Sequence, residues 1–248
     1  MASTAGEIRV YKDVAELASQ TAEEFSRLAQ ACVAAHGRFT VALAGGSTPK
    51  AAYELLASEP YCSQLPWDCI HVFWGDERPV PPDHPESNYS MAHEAMLSKV
   101  AIPVANIYRI VAEEGAQQAA DAYETTLRMF FGLEGGALPR FDLVLLGMGP
   151  DGHTASLFPG TTAVHEETRL VAAPWVEKFN SFRITMTPPV LCNAAHVVFA
   201  AGGAEKAETL CQVLQGDYQP DHYPSQVIKP RHGTLLWLVE QATARLLA

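Results

Sequence analysis

Five short runs in this 248-residue chain are almost wholly apolar: FTVAL (39–43), CIHVFW (69–74), FDLVLLG (141–147), HVVFAAGG (196–203) and TLLWLV (234–239). A strand with one wet face alternates apolar and polar residues, whereas a strand buried on both faces reads as a continuous apolar run. Between these runs lie segments of helical spacing. In 13–35, Val14, Leu17, Ala18, Thr21, Phe25, Leu28, Ala29 and Cys32 recur on one face. KAAYELLAS, SMAHEAMLSKV, residues 116–131, the short PPVLCNA and AEKAETLCQVLQ read as further helices, and NIYRIV, RLVAAPWV and FRITMT as further strands. GDERPVPPDHPESNY is too rich in proline to be anything but a loop. Strands that alternate with helices and are buried on both faces predict an α/β fold: a mostly parallel, Rossmann-like sheet with helices on both sides. With no low-complexity linker and no short-period repeat, the expectation is one domain spanning residues 1–248.

The rest of the composition narrows the class of function. A net charge of −11 argues against an extended nucleic-acid surface, which needs clustered Lys and Arg. It leaves room for an anionic small molecule, because a few cations focused in a cleft outweigh a distant acidic surface. Five scattered cysteines without a C-x-x-C suggest neither a zinc ribbon nor a redox pair, but free thiols in a reducing compartment. MASTAGEIRVYKD has no apolar core of a secretory signal, and no segment has the length and apolarity of a membrane span. A cytoplasmic protein without a membrane partner is the expectation.

One anion site is written into LAGGSTPKAAYELL (43–56). A strand ends at Gly45-Gly46, and Ser47-Thr48-Pro49 opens a helix. Thr48 is expected to cap it, with Pro49 at the first helical position, where its missing N–H costs nothing. Glycines let backbone approach a ligand, and the free N–H groups of a helix start favour anions. The turn lies at the carboxyl end of a strand, where open α/β sheets bind ligands.

Gly147, Gly149 and Gly152 spell G-x-G-x-x-G after an apolar run, the pattern of a dinucleotide loop. That reading fails on context. Only HTASLF separates the third glycine from Pro159-Gly160, too little for a crossover helix, and Asp151 would repel a pyrophosphate. What remains is a glycine-rich turn that projects Asp151 and His153 from a strand end. Histidine, with an unperturbed pKa of about 6.5, can take and return a proton, and a neighbouring carboxylate can fix its tautomer. The histidines at 36, 84, 93, 165 and 222 read as surface residues, and His71 and His196 as core.

VALAGGSTPKAAYELL, VFWGDERPVPPDHPESNY, FDLVLLGMGPDGHTASLFPG, FRITMTPPVL and FAAGGAEKAETL, in that order across nearly the whole chain, resemble the 6-phosphogluconolactonase family. The resemblance implies a fold shared with glucosamine-6-phosphate deaminase and ribose-5-phosphate isomerase. It also implies hydrolysis of 6-phospho-D-glucono-1,5-lactone, a sugar-phosphate lactone, in the pentose phosphate pathway. By the same resemblance Gly45, Gly46, Ser47 and Thr48 form the phosphate loop, Arg183 and Lys206 are basic phosphate ligands, and Arg78 faces the sugar end. His153 would activate water, oriented by Asp151, Asp76 or Glu77. An activated ester requires no metal and no cofactor. Two departures touch packing alone: Glu240 stands where the family more often has Asp, and EKFNSF lacks the usual proline.

The nearest alternative is a glucosamine-6-phosphate deaminase-isomerase, whose corresponding loop carries a Glu where Phe158 stands here, and a Tyr where GDER has Arg78. A non-catalytic sugar-phosphate sensor is the alternative from another class. The expected assembly is a monomer or weak homodimer.

Overall fold

The computed structural model describes residues 6–248, so the reading of the leader region is described only from Gly6 onward and its first five residues lie outside the described residues. The chain runs β1 (Glu7–Tyr11), α1 (Val14–His36), β2 (Phe39–Leu43), α2 (Ser47–Leu56), α3 (Tyr61–Gln64), β3 (Ile70–Trp74) and β4 (Asp76–Glu77). It continues through α4 (Asn88–Ala92), α5 (Ala116–Phe131), β5 (Leu143–Leu146), β6 (Val171–Ala172), β7 (Trp175–Val176), β8 (Ser181–Phe182) and β9 (Ile184–Met186). Last come α6 (Pro188–Leu191), β10 (His196–Ala201), α7 (Ala207–Gln215), β11 (Thr234–Glu240) and α8 (Gln241–Ala244).

Six strands pair in the order β1-β11-β10-β5-β2-β3, and every pair is parallel. All five predicted apolar runs are strands of this sheet. Every residue of β2 and β5 is buried, as a strand covered on both faces requires. Across the sheet Phe199 stacks on Trp237 with ring centroids 3.8 Å apart, and Phe25 of α1 meets Phe39 edge to face. Each such fully buried side chain contributes on the order of 2 kcal/mol through removal from water.

From β2 the chain passes outward to β3, then returns to place β5 on the other side of β2. The strand order therefore reverses between β2 and β5, the point where open α/β sheets form a crevice at their carboxyl ends. Two buried phenols fix that edge. Tyr53 receives the Ala44 N–H and donates to the Ala44 carbonyl, and Tyr123 does the same for Trp74. Burial pushes both hydroxyls well above the usual tyrosine range, so they remain donors.

The structure corrects several expectations. NIYRIV forms no strand: Ile107 makes one isolated bridge to Val72, and Tyr108 stacks on Phe73. The proline-rich loop begins with the two-residue strand β4, which pairs antiparallel with β9. RLVAAPWV breaks into β6 and β7 around Pro174. β1 had no counterpart in the sequence reading. His71 and His196 are half-buried, not core; His84 is half-buried as well, whereas His36, His93, His165 and His222 are exposed.

Candidate active site

The carboxyl ends of β2, β5 and β10 open onto one cleft of about 200 Å³. The β2–α2 turn forms one wall, the Gly147–His153 loop another, and Asp76, Arg78 and Lys206 complete it.

In the first wall, α2 starts at Ser47 and Gly46 is its cap, with φ of 102°. This corrects the expected Thr48 cap. Gly46 makes the chain reversal in a conformation that other residues rarely adopt, so the helix begins earlier and Pro49 falls at its third position. Proline is tolerated there because the first four N–H groups of a helix have no intrahelical acceptor. The first intrahelical bond is Lys50 N–H to the Gly46 carbonyl at 3.1 Å, which leaves the Ser47 and Thr48 N–H groups free of the helix ladder at the cleft. Gly45 has its own reason: a Cβ there would sit 2.0 Å from the Asn88 side-chain oxygen.

Lys206 reaches the cleft from the turn after β10. That turn is held by Glu240, which accepts the Gly203 N–H at 2.8 Å, so the residue first read as a packing departure secures the loop carrying the lysine. Burial lowers the Lys206 ammonium from its ordinary value, and the charges of Glu205 and Glu240 partly restore it.

Arg78 lines the cleft; Arg183 does not. β4 pairs with β9 so that Glu77 faces Ile184, and one further step of this antiparallel register sets Arg183 beside Arg78. Its guanidinium lies over the Phe179 ring at 4.8 Å and donates to the Phe182 carbonyl. Burial, then the charge of Arg78, lowers its pKa. Among the described residues, none of Arg78, Arg183 and Lys206 has a carboxylate within 4.0 Å. In a chain of charge −11, two cations lining one cleft without a carboxylate partner, Arg78 and Lys206, with Arg183 beside Arg78, mark an anion site.

The loop after β5 is fixed along its length. Thr154 Oγ1 donates to the Gly147 carbonyl, Thr209 Oγ1 to Pro150, and Ser225 to Gly152 through both N–H and hydroxyl. His153 Nδ1 lies 2.5 Å from Asp151 Oδ1, and the imidazole stacks on Phe158 at 4.1 Å. Lys178 donates to the other Asp151 oxygen at 2.8 Å. Burial raises the Asp151 carboxyl, but the hydrogen bond and charge of His153, joined by Lys178, hold it well below the usual carboxylate range. With Nδ1 engaged, Nε2 is the ring nitrogen left for the cleft.

Neither Asp76 nor Glu77 bonds to His153. Asp76 accepts from Ser156 Oγ at 2.6 Å and Asn88 Nδ2 at 3.2 Å. Glu77 accepts from the backbone of Arg78, Asn88 and Tyr89 and from Ser87 Oγ, holding the start of α4; burial pushes its pKa up against those bonds. Lys178, Asn88, Ser156 and the stacking role of Phe158 escaped the sequence reading. Their only signal was the presence of a lysine in EKFNSF and of a hydroxyl and a ring in HTASLF.

Residues 12–237 match the family described as glucosamine-6-phosphate isomerases/6-phosphogluconolactonase. The chain belongs to this family. Among curated members, a 6-phosphogluconolactonase from Nostoc sp. is 47% identical over 207 residues, 83% of each chain. One of the same name from Synechocystis sp. is 46% identical over 210 residues, covering 84% of this chain and 85% of that one. In fold, a 6-phosphogluconolactonase from Trypanosoma cruzi superposes with a TM-score of 0.88 at 30% identity, over 99% of this chain and 98% of the other. A monomeric glucosamine-6-phosphate deaminase, at 18% identity and a TM-score of 0.81, shares the fold alone. Among the described residues no helix is long and apolar enough to cross a membrane.

Proposed function

We propose that the chain hydrolyses 6-phospho-D-glucono-1,5-lactone to 6-phospho-D-gluconate, with His153 as general base. The observation that carries the reading is the His153–Asp151 pair facing the same cleft as the free N–H groups of α2 and Lys206. The activity is the one named for its relatives, and the geometry supports the roles. Ser47 and Thr48 N–H groups and Lys206 hold the phosphate. His153 Nε2 takes a proton from water, whose oxygen bonds to C1 of the lactone. Backbone N–H groups of the glycine-rich loops and Arg78 stabilise the oxyanion. As the bond from C1 to the ring oxygen breaks, His153 returns the proton to that oxygen.

A deaminase reading needs a second acid on the histidine. Here the imidazole stacks on Phe158 instead, and its carboxylate partner is Asp151 alone among the described residues. Proton release from freshly made lactone, measured against spontaneous hydrolysis, tests the activity. A rate equal to the uncatalysed background, with 6-phosphogluconate still binding, would favour a sensor.

Two further outcomes are expected. Lys206→Ala raises KM on the order of ten-fold or more with a smaller change in kcat, since it removes a charge-assisted contact remote from C1. Arg183→Ala raises it less, because that guanidinium stands outside the cleft wall. Equal, wild-type KM values in both variants would remove the phosphate assignment. Gly149→Ala is expected to lower kcat while the protein still folds: the new Cβ would sit 2.1 Å from the imidazole and must push the ring aside. Steady-state kinetics with a thermal melt checks this, and unchanged kcat would show the ring position to be uncritical.

A further inference from the structure

At the far end of the sheet from the cleft, three side chains of metal-ligating type converge. Cys32 and His36 stand one turn apart on α1, and Asp142 immediately precedes β5. One ligand atom from each lies within 4.8 Å of the others, and His36 Nε2 is 3.2 Å from Asp142 Oδ1. Asp142 is held in this orientation, because its Oδ2 accepts both the N–H and the Oγ1–H of Thr40 at 2.8 Å. Oδ1 is thereby left facing the helix.

The surroundings favour a cation. His36 lies in the last turn of α1, which Gly37 closes, and the unpaired carbonyls of a helix end carry partial negative charge. Asp142 adds a full one.

We propose that Cys32, His36 and Asp142 bind a thiophilic divalent d-block ion of the zinc class, with water in the fourth position. One sulfur, one imidazole nitrogen and one carboxylate oxygen suit such an ion and not calcium or magnesium, which take oxygen ligands. Donor atoms around tetrahedral zinc stand roughly 3.5 Å apart, so the present spacing must tighten slightly. His36 is exposed and its side chain has room to do this. On binding, the S–H bond is replaced by an S–metal bond and the proton passes to solvent, with no change of oxidation state. No C-x-x-C marks this site, which joins one helical turn to a residue just before a distant strand.

β5 separates Asp142 from the catalytic loop by roughly 15 Å, at about 3.3 Å per residue. The ion would therefore clamp the end of α1 to the base of the sheet without touching the reaction. Titration of the tag-free, metal-free full chain with Co²⁺ tests this. One equivalent should produce a sulfur-to-cobalt charge-transfer band in the near ultraviolet together with tetrahedral d–d absorption, and Zn²⁺ should bleach both. Zn²⁺ should also raise Tm. Cys32→Ser should abolish the band and the Tm rise, His36→Gln should weaken Co²⁺ binding on the order of ten-fold or more, and lactone hydrolysis should be unchanged in both. Absence of the band in the wild-type chain at millimolar Co²⁺ overturns the proposal, and so does its persistence in Cys32→Ser, which would assign it to one of the other four cysteines.

Discussion

Alanine at position 153 is expected to lower kcat by on the order of 10²-fold or more and to leave KM for the lactone nearly unchanged. On the proposed mechanism the imidazole acts on water in the transition state, whereas affinity in the ground state comes from phosphate contacts at α2 and Lys206. The packing supports this separation. Phe158 and Asp151 hold the ring from two sides, and neither lies in the β2–α2 turn. Asp151 keeps Lys178 as a partner when the imidazole is removed, so the variant should fold. Wild-type kcat in His153→Ala would remove the residue from the mechanism. Collapse of 6-phosphogluconate binding together with turnover would make it a binding residue instead.

The parts of this molecule that were legible in the sequence are those whose cause is local. A strand buried on both faces must be apolar throughout, so β2, β3, β5, β10 and β11 announce themselves. β1 does not: it is an edge strand, EIRVY, with four of its five residues exposed, and only its pairing with β11 makes it a strand. NIYRIV has the composition of a strand, yet Tyr108 spends its surface on stacking against Phe73 and the segment gains one bridge in place of a ladder. The same division runs through the site. Asp151 and His153 are two residues apart in one loop, so their pairing could be anticipated. Lys178 reaches Asp151 from a separate hairpin, and Arg183 is drawn to Arg78 by the β4–β9 register, not by its proximity to any phosphate loop. Such contacts depend on where tertiary structure sets two segments, which no local spacing encodes. The helix cap moved from Thr48 to Gly46 for a related reason: backbone freedom at the glycine outweighed the capping preference of a hydroxyl.

Asp151→Asn should lower kcat by on the order of 10²-fold or more, while Lys178→Ala should lower it far less. On the proposed mechanism the carboxylate accepts the Nδ1 proton, which leaves Nε2 unprotonated toward the cleft and able to act as a base. An asparagine can turn its NH₂ toward Nδ1, which places the ring proton on Nε2 and removes the base, and it cannot stabilise the imidazolium that forms during the reaction. The pH dependence separates the two groups. Because the Asp151 carboxyl is held well below its ordinary value, it stays ionised from pH 5 to 8 and adds no limb to the activity profile there. A depressed carboxyl stabilises the fold above its unfolded pKa of about 3.9, and that contribution is lost as pH falls through the lower folded value. Asp151→Asn should therefore melt below the wild type at neutral pH, with the difference shrinking below about pH 4. A variant with reduced Tm and wild-type kcat would make Asp151 a stabilising residue only. Recovery of wild-type kcat by Asp151→Asn at any pH between 5 and 8 would break the link between this carboxylate and the tautomer of His153.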